Sequence, residues 1–284
     1  MKIAITGSQG FLGQHTIEVA RSLGHEVIGL TRHEDFLNSE VQPDVAYYGD
    51  ITDKEYVEKA ISQAEGVINL AGILGTQETV DNPYPSVYTN IVGALNVLEA
   101  VRRYKIPVVQ IAVGNHFMNN SYSITKTTAE RFTLMYAKEH DVQGNVVRAL
   151  NAFGERQKFY PVRKMMPYFI HQALNNEDIQ IYGSGEQVMD FVYVKDVAEI
   201  LIEVLTSNTS GNIYEAGLGH GLTVNEWAEQ VITHSNSKSR IIHLPMRPGE
   251  PKLSKVVAEN PYAFPYSDTM EKLRKTIISY DKQN

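Results

Sequence analysis

Apolar runs and helical stripes alternate along the first half of the chain. Lys2-Ile3-Ala4-Ile5-Thr6 is a continuous apolar run that breaks at Gly7, Gly10 and Gly13 and becomes helical in spacing from Gln14 onward. Continuous apolar residues mark a strand buried on both faces. The same unit recurs. His25 to Arg32, Val45 to Asp50, Gly66 to Gly72, Pro107 to Val113 and Val142 to Leu150 read as strands, with helical spacings between them, most clearly from Val87 to Tyr104. Thr52 or Asp53 is placed to cap the helix after the third strand.

Such alternation predicts an α/β fold, a Rossmann-type doubly wound parallel sheet with helices on both faces and ligands at the carboxyl ends of the strands. After Gly154 the pattern loosens. Tyr160 to Gly185 holds two prolines, an amphipathic helix and a short Ile179-Gln180-Ile181-Tyr182 strand. Val188 to Val194 reads as a strand, Val197 to Leu205 as a helix, and Thr223 as the cap of a helix reaching Thr233. A proline-rich tail then leads to a last helix around Met270 to Ser279. We expect residues 1–154 to form a dinucleotide-binding domain, with 188–206 packing back onto it, and 155–284 to form mainly a smaller C-terminal substrate lobe over the crevice.

Candidate chemistry collects at the strand ends. Gly7 and Gly10, with Ser8, Gln9, Phe11 and Leu12 around them, suit a tight turn under a pyrophosphate, and Gly13 suits close helix–strand packing. The second strand ends in Thr31-Arg32-His33 where an acid usually meets the ribose of NAD, so a guanidinium for a 2′-phosphate favours NADP over NAD. The fourth strand ends in the small residues Ala71 and Gly72, as needed where backbone passes beneath a cofactor. Tyr122 and Lys126 stand one helical turn apart after the fifth strand, where an ammonium would stabilise a phenolate and make the tyrosine a usable base.

Composition narrows the classes. With 284 residues, 43% of them hydrophobic, the chain can bury one large core or two unequal ones. It has no cysteine, which removes disulfides, thiolate metal sites and a cysteine nucleophile. Nine scattered histidines form no metal-ligand cluster, so no metal is expected. A net charge of −7 argues against nucleic acid as a partner, and no apolar run reaches membrane-spanning length. Met1 directly before the first strand leaves no room for a signal peptide, so a cytoplasmic protein is expected.

Taken together, these motifs resemble the extended short-chain dehydrogenases/reductases, in the nucleotide-sugar epimerase and dehydratase branch. Thr6 to Gly13 is similar to that family's cofactor loop, Gly49-Asp50-Ile51-Thr52-Asp53 to its adenine-contacting segment, and Asn69-Leu70-Ala71-Gly72 to its fourth-strand motif. Tyr122 and Lys126 match its catalytic pair, and Glu130 the acid that follows. The resemblance implies cofactor contacts at Asp50, Ile51, Leu70, Ala71 and Gly72, and substrate contacts at Asn151, Arg247 and Glu250. Gly183 to Gln187 and Asp190 to Ala198 resemble two further family segments.

Three departures bear on the substrate. Ile111-Ala112-Val113-Gly114 lacks the Ser or Thr usual after the fifth strand, leaving Asn115, Ser121, Ser123 or Thr125 as substitutes. The connection from Gly114 to Tyr122 is short and lacks the acid pair of hexose 4,6-dehydratases; its one ionisable side chain is His116. Met189 stands where an arginine usually contacts the diphosphate, so the phosphate grip shifts toward Arg247.

The resemblance implies an NADP- or NAD-dependent enzyme acting on a nucleotide-diphosphate sugar, with C4 epimerisation as the expected net reaction. A dehydratase using His116 as a second base is the alternative, and a non-catalytic NADP-sensing protein is the reading of a different class. Leu95, Leu98, Phe132 and Tyr136 exceed one buried stripe on their helices, and the resemblance implies that these helices pair across a homodimer.

Overall fold

The protein, seen in a computed structural model, is described for residues 1–32, 39–247 and 254–282. The predicted strands appear as β1 (Lys2–Thr6), β2 (Glu26–Thr31), β3 (Val45–Tyr48), β4 (Gly66–Asn69), β5 (Val108–Val113) and β6 (Gly144–Ala149). A further strand, β7 (Ile213–Ala216), completes a sheet that is seven-stranded among the described residues, all parallel, in the order β7-β6-β5-β4-β1-β2-β3. The direction in which successive strands are added reverses between β1 and β4. That is the switch point where an open α/β sheet leaves its ligand crevice. β7 has no counterpart in the pattern analysis because it is short and at the sheet edge, with Ile213 38% exposed, so it lacks the continuous apolar run of a central strand.

Helices α1 (Phe11–Ser22), α2 (Lys54–Ile61), α3 (Gly93–Tyr104) and α4 (Ser121–Glu139) follow their strands. Asp53 caps α2, accepting from the N–H groups of Glu55 and Tyr56, which stabilises the helix by about 1 kcal/mol. The apolar spacing before α3 is not one regular helix. It runs through a short α-turn (Tyr84–Val87) and a π-helical turn (Tyr88–Val92). Inside that turn the Asn90 carboxamide accepts from Ile73 N and donates to Ile73 O and Thr125 Oγ1, so a buried polar side chain bridging to two other segments accompanies the irregularity.

The second half builds a lobe around α5 (Met165–Leu174), α7 (Val224–Ser235) and α8 (Thr269–Asp281), with strand Ile179–Tyr182 paired to Ile241–Leu244. Helix α6 (Val194–Thr206) lies between them in sequence and packs on α1 against the sheet. Thr223 and Glu226 form a reciprocal capping box on α7. The Val188 to Val194 run is interrupted at Asp190, giving strands Val188–Met189 and Phe191–Tyr193. Asp190 turns inward and accepts from the N–H groups of Leu218, Gly219 and Ala258.

Leu98 and Tyr136 are buried within this one chain, and Leu95 and Phe132 pack against the same core. Leu98 and Tyr136 are therefore core residues, which corrects the reading of these two as surplus apolar positions, whereas Leu95 and Phe132 remain partly exposed. The exposed apolar side chains of this region are Tyr84, Val87, Tyr88, Ile124 and Met135.

Candidate active site

The crevice floor is made of backbone and small residues. Gly7 adopts φ +63°, and a Cβ on Gly13 would stand 2.4 Å from Gly7 O, so neither position accepts a side chain without displacement. No side chain caps α1 at Gly10, which leaves first-turn N–H groups for an anion. Ser8 Oγ and both polar side-chain atoms of Gln9 are buried without a hydrogen-bond partner among the described residues. A glycine cradle with buried polar groups at a helix N-terminus fits a dinucleotide pyrophosphate.

Beneath it, three strands share a polar ladder absent from the sequence reading. Thr6 Oγ1 donates to Asn69 Oδ1 at 2.5 Å, and Asn69 Nδ2 donates to Gln110 Oε1 at 2.7 Å. Thr6 Oγ1 also accepts from Leu70 N and Ala71 N at 3.1 and 3.0 Å. These bonds satisfy polar groups that would be costly to bury alone and hold the β4 end where Leu70, Ala71 and Gly72 pass the glycine loop.

At the adenosine end, Arg32 is exposed just past β2. Hydrogen bonds from Thr52 hold the Asp50 carboxyl below its ordinary range, and the charge of Arg32 adds to this. Ile51 is buried under α3. His33 and Glu34, which entered the cofactor argument, lie outside the described residues.

The catalytic candidates stand on α4. Asn120 caps it through Ser123 N at 2.9 Å, which fixes the first turn. Lys126 is 3% exposed, and a Cβ on Gly72 would lie 3.6 Å from its Nζ and 3.0 Å from Asn90 Oδ1. The π-turn and α4 therefore converge on the β4 end at Gly72. Burial pushes the Tyr122 phenol up to about 12 and the Lys126 ammonium down to about 8. Both charges are opposed by desolvation, and each is a natural stabiliser of the other.

Among the Ser/Thr substitutes, Thr125 is already engaged, donating to Ser121 O and accepting from Asn90. Asn115 directs its amide at Met118 Sδ, and Ser123 is fully buried. Ser121 is half-buried at the start of the helix. His116 sits in the loop before α4, its ring edge-on to Phe117 and its Nδ1 enclosed without a partner among the described residues.

Residues 3–217 match the model of the NAD dependent epimerase/dehydratase family. The chain belongs to this family. It is 28% identical over 268 residues to the UDP-N-acetyl-alpha-D-glucosaminuronate decarboxylase of Bacillus cytotoxicus, covering 85% of this chain and 82% of that one. It is 25% identical over 240 residues to the dTDP-glucose 4,6-dehydratase of Mycobacterium tuberculosis, covering 75% and 71%. The UDP-glucose 4-epimerase of Thermotoga maritima, solved with UDP-glucose, superposes with a TM-score of 0.89 at 24% identity, covering 100% of this chain and 99% of that one.

Several residues within the epimerase/dehydratase motifs are engaged by their own chain. Arg148 donates to Glu130 through two nitrogens at 2.8 and 2.6 Å, and Glu215 of β7 stands 3.8 Å from it, so this pair ties α4 to the sheet edge. Asp196 accepts from the backbone N–H and hydroxyl of Ser267. Asn151 uses its amide on Asp190 O at 3.0 Å and leans on Met189 Sδ. Met189 itself packs under Leu150 and Val256, and its carbonyl accepts from the Trp227 indole at 3.0 Å.

Two cations of the lobe pack on aromatic rings. Arg247 stacks on Tyr182 at 4.7 Å, and Lys164 places its ammonium 5.7 Å from the Tyr122 ring centroid. Glu250 lies outside the described residues. Lys164 and Asn90 escaped the sequence reading. An asparagine inside an apolar helical stripe was a usable signal for Asn90, whereas Lys164 is one basic residue among many and had none.

Proposed function

We propose that this protein is a nucleotide-diphosphate-sugar epimerase that oxidises and re-reduces C4. The observation that carries the reading is that Lys126, one turn after Tyr122 on α4, is buried with its ammonium beside Gly72 at the β4 end, where Asn90 also packs. A bound nicotinamide dinucleotide would supply the hydride acceptor and donor and finish the cycle unchanged. Tyr122 takes the proton of the C4 hydroxyl as the ketone forms and returns it after the sugar has turned over. Lys126 stabilises the phenolate and offers its remaining donors to the ribose. Arg247 supplies the cation for the diphosphate, in a site where Met189 supplies none.

The same C4 ketone acidifies C5–H, and His116, in the loop before α4, is the candidate second base, which keeps dehydration as the second reading. A uronic acid oxidised at C4 becomes a β-keto acid and loses carbon dioxide. Incubation with UDP-, dTDP- and GDP-sugars, including uronic acids, separates these outcomes by mass and NMR. Unchanged mass with inverted C4 supports epimerisation; loss of water or of carbon dioxide replaces it. Tight cofactor binding without turnover of any sugar returns the NADP-sensing reading.

Arg32 supports NADP as the preferred cofactor, because an exposed guanidinium past β2 suits a 2′-phosphate. A homodimer is also proposed, carried by Tyr84, Tyr88 and Ile124, which are 68%, 57% and 52% exposed where the turns before α3 pack against α4. Monomeric sedimentation at micromolar concentration would remove it. Among the described residues no helix is long and apolar enough to cross a membrane, and no cluster of side chains suits a metal.

A further inference from the structure

Lys164 stands immediately before α5 without capping it. A cation there meets the positive end of the helix dipole, so the helix does not account for its placement. Its ammonium lies 5.7 Å from the centroid of the Tyr122 ring, a cation–aromatic contact, and makes no hydrogen bond or ion pair among the described residues. Burial opposes its charge, the exposed Glu78 after β4 favours it, and Arg247 opposes it again, with a lowered pKa as the balance. The ammonium and the uncapped end of α5 alike favour a negative group nearby.

The chemistry of a hexose seated at Tyr122 narrows which group that is. Tyr122 is read as the base for the C4 hydroxyl. In a pyranose C1, which carries the diphosphate, stands across the ring from C4, whereas C5, which carries C6, is bonded to C4. An ammonium beside the Tyr122 ring is therefore nearer the C4–C5 edge of the sugar than the diphosphate, for which Arg247 is the assigned cation. We propose that Lys164 is a specificity-determining residue: it binds the C6 carboxylate of a nucleotide-diphosphate uronic acid while Tyr122 engages the C4 hydroxyl. The inference rests on the reading of Tyr122 as the C4 base and names the sugar class on which it acts. A carboxylate in contact favours the ammonium that burial and Arg247 oppose, whereas the C6 hydroxyl of a neutral hexose leaves it without a counter-charge.

The test is a calorimetric titration of the protein saturated with nicotinamide dinucleotide and carrying Tyr122→Phe, which removes the assigned base and keeps the ring beside Lys164. The ligands are UDP-glucuronic acid against UDP-glucose, and the corresponding dTDP pair. Members of a pair share nucleotide and diphosphate, so the ratio of their affinities reads the C6 group alone. The uronic acid should bind about tenfold or more tighter in at least one pair, the scale of a hydrogen bond to a charged group. Lys164→Met should abolish that preference while affinity for the neutral sugar stays within a few fold, and Lys164→Arg should keep much of it. Lys164→Gln serves the same comparison should the Met variant fail to fold. Equal affinities within each pair overturn the proposal. An equal loss on both members in Lys164→Met makes Lys164 a diphosphate ligand, and also overturns it. C4 inversion of a neutral sugar without a preference for the uronic acid rejects this proposal alone. Loss of carbon dioxide from a uronic acid bound through Lys164 replaces the epimerase reading and leaves this one standing, whereas binding of no nucleotide sugar rejects both.

Discussion

Two sets of ionisable residues, equally prominent as motifs, differ in what the fold does with them. Around β6 and the lobe strands, Glu130, Arg148, Asp190 and Asp196 each hold two or more geometrically good bonds to their own chain. On α4, Tyr122 and Lys126 make no hydrogen bond through their side chains among the described residues, although burial opposes their charge as it does that of Asp190 and Asp196. A buried charge with its partners in place is structural, whereas one held by packing alone is available for a ligand. The contrast separates fold from function more sharply than motif matching does.

The strongest challenge to it is Tyr122→Phe, which removes one oxygen and no described hydrogen bond. Turnover should fall by about a thousandfold or more while cofactor affinity stays within a few fold and stability is nearly unchanged, as steady-state kinetics, cofactor titration and thermal melts will report. Substantial remaining activity would reject Tyr122 as the base.

Asp190→Ala should show the opposite pattern. It strands the N–H groups of Leu218, Gly219 and Ala258, so denaturant unfolding should register a loss of about 4 kcal/mol, while cofactor affinity of the folded protein is retained. A neutral outcome would place Asp190 with the site residues.

Arg32 is the intermediate case, exposed and near Asp50. Its replacement by Ala should weaken NADP by about 1.5–3 kcal/mol and spare NAD, the scale of hydrogen bonds to a charged group. Mass spectrometry of the cofactor released on denaturation gives an independent check. NAD alone, together with a variant silent toward both cofactors, would mean that Arg32 only faces solvent.

The smallest effect concerns His15, 1% exposed, which bonds the Glu155 carbonyl and meets Arg156. Burial lowers its pKa from the ordinary 6.5 to about 4. The unfolded chain therefore binds the extra proton first, so stability is full above 6.5 and is lost as pH falls from there through about 4. Between about pH 7.5 and about pH 5 this amounts to about 2 kcal/mol, and His15→Gln should flatten that slope in denaturant melts.

Much of this was legible in the linear chain because it depends on local rules. Continuous apolar runs identified β1 through β6, the glycines located the phosphate turn, and the spacing of Tyr122 and Lys126 put both on one face of a helix. Asp53 and Thr223 announced their helices as caps do, through chemistry within three residues.

What tertiary structure alone decided was the partner of each polar group. No local pattern reveals that Arg148 engages Glu130 and Glu215, that Asp190 holds the segments at Leu218 and Ala258, or that Lys164 comes to lie over Tyr122. The short edge strand Ile213–Ala216 also exists as part of the sheet only because β6 is there to pair with it. These contacts join residues far apart in sequence, and their energies depend on burial and geometry that the chain acquires only when folded. Residue type determined the chemistry available to this protein; the fold determined which of it was left free to act.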